Sequence, residues 1–234
     1  MIDVHCHILP SMDDGSSSME ESLAMARIAV ADGIRTIVAT PHVNNVIPTP
    51  ELIAEKIALL TDVLKREGLS IDILPGGDVA SILPVEIVSL YTVNRTRYVL
   101  LEFPHSHLPA NAEQILFEWQ LAGLCPIITH PERNPSILKR PDCLARFVLA
   151  GALVQVTAGS LTGTFGVDVQ ACASHLISCG WVHILASDGH SSHYRLPRLT
   201  EGVRVAAQLI GEEAALKLVQ DNPAAVIAGR ELDV

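Results

Sequence analysis

Aromatic side chains are scarce: two Trp, three Tyr and four Phe make up 4% of 234 residues. That leaves little for the stacking platforms that hold single-stranded nucleic acid. Basic residues are also in deficit, 16 against 26 acidic, for a formal net charge of −10. Phosphate backbones are bound by releasing counterions onto Lys and Arg patches, so a nucleic-acid partner is disfavoured. No apolar run approaches the ~20 residues that cross a bilayer; Leu149 to Val154 is among the longer ones. The opening Met1-Ile2-Asp3-Val4-His5 lacks the basic and apolar regions of a secretory signal. No two of the five cysteines are spaced CxxC, and their number is odd, which fits free thiols in a reducing compartment. The expectation is a cytoplasmic protein without a transmembrane segment. No repeat, linker or low-complexity stretch divides it, so residues 1–234 read as one domain, and nothing sets its oligomeric state.

What is present is alternation. Hydrophobic residues make up 49% and charged residues 18%, which excludes disorder and coiled coil. Nearly continuous apolar runs mark strands at Ile2–His5, Thr36–Ala39, Ile71–Leu74, Tyr98–Glu102, Ile127–Thr129, Leu153–Val156 and Val182–Ala186, as for parallel strands covered on both faces. Helical patterns fall between them. Ser18 with Glu21 predicts a capping box opening Met19–Ala31, with Gly33 past its end. Thr49-Pro50-Glu51 opens a helix running to about Arg66, closed by Gly68. Further helices are expected at Pro84–Val93, Ala112–Ala122, Asp142–Leu149, Val167–Ser178 and Leu199–Ile210, with Asn222-Pro223 capping a short last one. Seven βα units predict an α/β fold, either a parallel barrel or a doubly wound sheet.

In both architectures sites gather at the C-terminal ends of strands. There the sequence places His5 and His7, then Asp14, His42, Asp78, Glu102, His130, Asp188 and His190. Only the sixth strand, ending at Thr157, lacks a ligand type. Residues two apart in a strand point the same way, so His5 and His7 can reach one ion. Five imidazoles and four carboxylates exceed one tetrahedral site and predict a cluster of two or three metals open to water. Arg133, three residues after His130, is a candidate for countering charge on phosphate oxygens; its alternative is a surface pair with Glu132. Arg195 is a second cation candidate. His105, His107 and His193 lie on loops near the expected site, His175 and His183 read as structural, and Gly159 and Ser160 are assigned no role. Cys6 should point away from its two histidine neighbours into the sheet packing. No cysteine stands at the short spacing from an arginine that a cysteine-based phosphatase uses; Cys125 and Arg133 are eight apart.

Asp3-Val4-His5-Cys6-His7-Ile8-Leu9-Pro10, Asp13-Asp14-Gly15, Ala39-Thr40-Pro41-His42, Leu101-Glu102-Phe103-Pro104, His130-Pro131-Glu132-Arg133, Gln155-Val156-Thr157-Ala158-Gly159-Ser160 and Ala186-Ser187-Asp188-Gly189-His190 stand in an order that resembles the polymerase-and-histidinol-phosphatase (PHP) superfamily. Within it the sequence looks like the bacterial manganese-dependent tyrosine-protein phosphatases encoded with capsule and exopolysaccharide genes. The resemblance implies a distorted (β/α)7 TIM-like barrel with three metals at its mouth, held by the nine candidate ligands. It also implies Arg133 as the catalytic arginine, Arg195 as a phosphate contact, and Mn²⁺ as cofactor, with iron or zinc as alternatives. The implied substrate is the phosphotyrosine tail of a cytoplasmic-facing autokinase. Two other readings stay open: a small phosphomonoester such as histidinol phosphate, and a non-catalytic metal-bound regulator. One departure stands out. The family usually has Glu where this chain has Asp78, about 1.5 Å shorter in reach, so metal spacing or occupancy is expected to differ.

Overall fold

Nine strand segments and eleven α-helices, with short 3₁₀ turns between them, alternate in a computed structural model that describes residues 1–232. The expected boundary at residue 234 lies outside the described residues. The segments are β1 (Ile2–Cys6), β2 (Thr36–Ala39), β3 (His42–Val43), β4 (Asp72–Pro75), β5 (Asp78–Ala80), β6 (Tyr98–Glu102), β7 (Cys125–Thr129), β8 (Leu153–Thr157) and β9 (Ile184–Ala186). All pair in parallel, in the orders β1-β2-β4 and β3-β5-β6-β7-β8-β9. Segments β2 and β3 continue one strand across Thr40-Pro41, and β4 and β5 continue another across Gly76-Gly77, so the two sheets are one run of seven strands. The run returns to its start, since Cys6 bridges Gly189, Asp188 N–H donates to His5 O, and His7 N–H donates to Gly189 O. This is the expected (β/α)7 ring, distorted where its ladders break after β2 and β4.

Alternation along the strands sorts two cores. Tyr98 and Leu100 of β6, Ile127 of β7, Leu153 of β8 and Ile184 of β9 pack together inside the ring with Val4 and Val38. Val99, Leu101, Ile128, Val154 and Leu185 face outward against the helices. The period of two carries Glu102, Thr129 and Gln155 to the inner face one step further along, so the interior turns polar at its C-terminal mouth. In β1 a bulge between Asp3 and Cys6 interrupts the register with β2. Val4 therefore packs inside while Cys6, two residues on, packs outside as expected, and His5 and His7 are aimed at the mouth. The other end is closed by α11 (Asp221–Ile227), whose Val226 joins the inner core.

Helix α1 (Met19–Ala31) starts as expected, with Ser18 Oγ accepting from Glu21 N–H, and Gly33 follows its end at φ +90°. The capping box is only half made. Glu21's carboxylate reaches instead to Ser192 N–H at 2.6 Å and to the hydroxyls of Ser191 and Ser192 at 3.0 Å, fastening the loop after β9 to α1. Helix α2 (Pro50–Arg66) is capped by Thr49 as expected. The helix predicted over Pro84–Val93 breaks into α3 (Val85–Val88) and two 3₁₀ turns, with Asn94 left-handed at φ 48°. That predicted over Asp142–Leu149 begins as a 3₁₀ turn and is α-helical only over Ala145–Leu149. Asn222 caps nothing: its amide donates to His183 O inside the first turn of α11.

Candidate metal centre

The bulge in β1 places His5 Nε2 and His7 Nε2 3.2 Å apart. Behind each ring a polar partner occupies the other nitrogen: Gln155 Oε1 lies 2.9 Å from His5 Nδ1, and Asp13 Oδ2 lies 2.7 Å from His7 Nδ1. With Nδ1–H donating to those oxygens, both Nε2 lone pairs face the mouth, the arrangement of metal-ligating imidazoles. His190 follows suit, its Nδ1 donating to Asp188 O at 2.9 Å. Asp13 also accepts from His42 N–H at 2.9 Å and from Gly15 N–H at 3.0 Å. Although the site is buried, these contacts hold its carboxyl well below the carboxylate range. A Cβ on Gly15 would stand 2.3 Å from His7 O, so only glycine lets this loop close over His7.

The nine sequence candidates all arrive at the mouth. Their ligand atoms fall into four overlapping groups: His5, His7 and Asp188; His5, Asp78 and His130; His42, Asp78 and Glu102; and His7, Asp14, His42 and His190. Asp78 joins two of them. Its Oδ2 lies 3.5 Å from His5 Nε2, 3.4 Å from His42 Nδ1 and 4.0 Å from His130 Nε2. That oxygen is buried without a hydrogen-bond partner among the described residues, as are His42 Nδ1, Glu102 Oε1 and His190 Nε2. A buried unpaired polar atom costs about 1–3 kcal/mol. Four such atoms turned to one centre are what a set of donors for cations looks like, and imidazole with carboxylate suits first-row transition ions. Asp78 stands on a strand and not in the expected loop, in register between His42 of β3 and Leu100 of β6.

Burial opposes charge on the histidines, but carboxylates override it where they are close. Asp78 and Asp188 bring His5 up to about 9, and Asp78 with Glu102 brings His42 up to about 11. At His190 the balance falls the other way: burial and the facing His7 outweigh Asp188 and push it down to about 2. Asp78 and Asp188, although buried, are held well below the carboxylate range, by His5 foremost.

Asp188 has two faces. Oδ1 lies 3.4–3.5 Å from His5, His7 and His190, while Oδ2 accepts from Arg133 at 2.7 Å and Arg195 at 2.5 Å. The Nε atoms of both arginines are buried without partners among the described residues. His130, Asp188 and Arg195 are left-handed, at φ 34°, 50° and 48°. Each costs roughly 1–2 kcal/mol for an L-residue, strain of the kind that gathers at functional sites. The alternative pairing of Arg133 with Glu132 does not form. Glu132 is buried and accepts from Thr157 N–H at 3.0 Å and Ser160 Oγ at 2.6 Å, pinning the loop that carries Arg133. Ser160, assigned no role from sequence, is half of that pin. Arg133's guanidinium instead lies over the Phe165 ring, 4.9 Å from its centroid.

Among the loop histidines, His105 stands at the site, its Nε2 3.2 Å from Glu102 Oε1 and its ring stacked on His130. His107 pairs with Ser106 on the surface, and His193 is exposed beside Arg195. His175 meets Asp142 on the surface. His183 is structural, as expected: Nδ1 accepts from Val154 N–H, and burial pushes it down to about 4. Its folded value lies below the ordinary ~6.5, so the unfolded chain binds the proton first as pH falls. His183 should therefore remove about 3 kcal/mol of stability between pH 6.5 and 4. Urea unfolding of wild type against His183→Asn should show the difference shrinking over that interval and flat above it.

Sequence reasoning missed Asp3, Asp13, Gln155 and Glu132. Asp3 is buried and accepts from Ser187 N–H and Oγ, sewing β1 to the segment after β9, with its carboxyl raised to about 6 by burial. Asp3 and Gln155 carried a signal: each is a polar residue between two apolar neighbours inside a strand.

A family model for capsular polysaccharide synthesis, CpsB/CapC, matches residues 1–228. Tyrosine-protein phosphatase YwqE of Bacillus subtilis (strain 168) is 40% identical over 227 residues, 94% of this chain and 89% of YwqE. Tyrosine-protein phosphatase CpsB of Streptococcus pneumoniae is 28% identical over 97% of this chain and 98% of its own length. The crystal structures of those two proteins, described as unique metal-dependent tyrosine phosphatases, include one that superposes with a TM-score of 0.94 at 37% identity, covering 99% of this chain and 96% of that one. A β-aspartyl dipeptidase of Fervidobacterium islandicum shares the fold alone, with a TM-score of 0.62 at 17% identity over 99% of this chain and 74% of the dipeptidase. Matched nearly end to end by the family model, the chain belongs to the CpsB/CapC family of capsular polysaccharide synthesis.

Proposed function

We propose that the protein is a metal-dependent protein-tyrosine phosphatase acting in capsule or exopolysaccharide synthesis. The observation that carries the reading is the buried, unpartnered Asp78 Oδ2 set among three imidazoles. His5, His7, Asp14, His42, Asp78, Glu102, His130, Asp188 and His190 hold two or three divalent ions, manganese first, with iron and zinc as alternatives. Such ions supply Lewis acidity and a water that is hydroxide at neutral pH. The chain's own residues do the rest. Arg133 and Arg195 already converge on one carboxylate oxygen; they take phosphate oxygens, and Arg133 counters the charge that builds there. A tyrosine leaving group, with pKa near 10, needs little help from an acid.

The substrate is the phosphotyrosine tail of a tyrosine autokinase, and the compartment is the cytoplasm. The capsule family, the activity named for YwqE and CpsB, and five free cysteines support this. No helix among the described residues is long and apolar enough to cross a membrane. The test is phosphate release from a tyrosine-phosphorylated peptide set against histidinol phosphate. Chelation should abolish release and added Mn²⁺ should restore it; turnover by fully demetallated protein would overturn the mechanism. Faster turnover of histidinol phosphate would move the assignment to small phosphomonoesters.

A further inference from the structure

Two spaces lie near the arginines, and they differ in what they admit. The one that Arg133 itself lines, with Phe103, His105 and Asn134, encloses only about 10 Å³. Behind Phe165, the ring that Arg133 lies over, a cleft of about 360 Å³ opens between the loop after β8 and the loop after β9, lined in part by Gly159, Phe165, Tyr194, Arg195 and Leu196. A cavity of ~150 Å³ already binds benzene, so only the second space takes a ring. Its walls suit one. Phe165 forms one side beneath the Arg133 guanidinium, and Tyr194, 63% exposed, stands on the loop that carries Arg195. In a chain this poor in aromatics, two beside the arginines is a concentration. Gly159 makes room: a Cβ there would come within 3.3 Å of the Phe165 ring, so glycine lets the ring approach the loop closely.

Resting on the phosphatase reading, we infer that this cleft is the subsite for the phenyl ring of the substrate, with Phe165 as its specificity-determining residue. The arginines meet only the phosphate and do not distinguish one phosphomonoester from another. Phe165 does, by stacking on an aryl group that an alkyl phosphate lacks.

The test is calorimetric binding of phenylphosphonate and methylphosphonate to Mn²⁺-loaded protein, neither of which is hydrolysed. Wild type should prefer phenylphosphonate by ~10–100-fold, the worth of burying a ring. Phe165→Ala should weaken phenylphosphonate by about tenfold and leave methylphosphonate unchanged, while Phe165→Tyr retains the preference. Equal weakening of both ligands would mean that Phe165 acts only through Arg133, and no change in either would remove it from the site; both overturn the inference. Failure of wild type to dephosphorylate the tyrosine-phosphorylated peptide would sink the phosphatase reading, whereas loss of the phenyl preference in wild type sinks only the cleft.

Discussion

Asp78→Asn should leave a folded protein that has lost its metals and with them its activity. The substitution keeps size and shape but removes the negative charge that His5, His42 and His130 surround. Removing one partner from a buried charge network costs about 3–5 kcal/mol, which as lost affinity for an ion is ~10²–10⁴. Because Asp78 belongs to two of the ligand groups, two ions are affected together. Metal analysis after dialysis should show fewer ions per chain, and activity should need far more Mn²⁺ to recover. Full metal content with wild-type turnover would remove Asp78 from the centre and leave its orphaned oxygen unexplained.

Arg133→Ala should act on a different quantity. The guanidinium touches Oδ2 of Asp188, while the face of that carboxylate turned to the histidines is Oδ1. Arg195 remains on Oδ2 after the substitution, so the carboxylate keeps a partner and the metals should stay. What is lost is a donor for charge appearing on phosphate oxygens, worth ~10²–10³ in kcat by comparison with other lost transition-state donors. The check is kcat on a tyrosine-phosphorylated peptide measured alongside metal content. A normal kcat would make the Arg133–Asp188 pair purely structural. Arg133→Lys should recover little, because a point charge cannot reproduce a planar fork.

The ring of strands and the nine residues at its mouth were legible because each followed from a local rule. Apolar runs marked the strands, and ligand types fell where strands end. What stayed hidden depends on the third dimension. Asp13 and Asp14 are adjacent and chemically alike; only the folded loop shows that one backs His7 while the other faces His42 and His190. Thr40-Pro41 and Gly76-Gly77 read as strand ends because such residues punctuate, yet the chain resumes its strand beyond each. Glu132 looked like a surface partner for Arg133, and only burial of its carboxylate against Thr157 and Ser160 shows that it holds the loop from below. The bulge that aims His5 and His7 has no marker in Ile2-Asp3-Val4-His5-Cys6 at all.

The seam where β1 meets the segment after β9 has a consequence for how the protein comes into being. Asp3 and Ser187 lie 184 positions apart, and Glu21 waits for Ser192 across 171. A polypeptide leaving the ribosome therefore exposes its first histidines long before Asp188 and His190 exist to join them. The strand ring and the cluster at its mouth close only once residues 187–192 have emerged, so the two ends of the chain must find each other last.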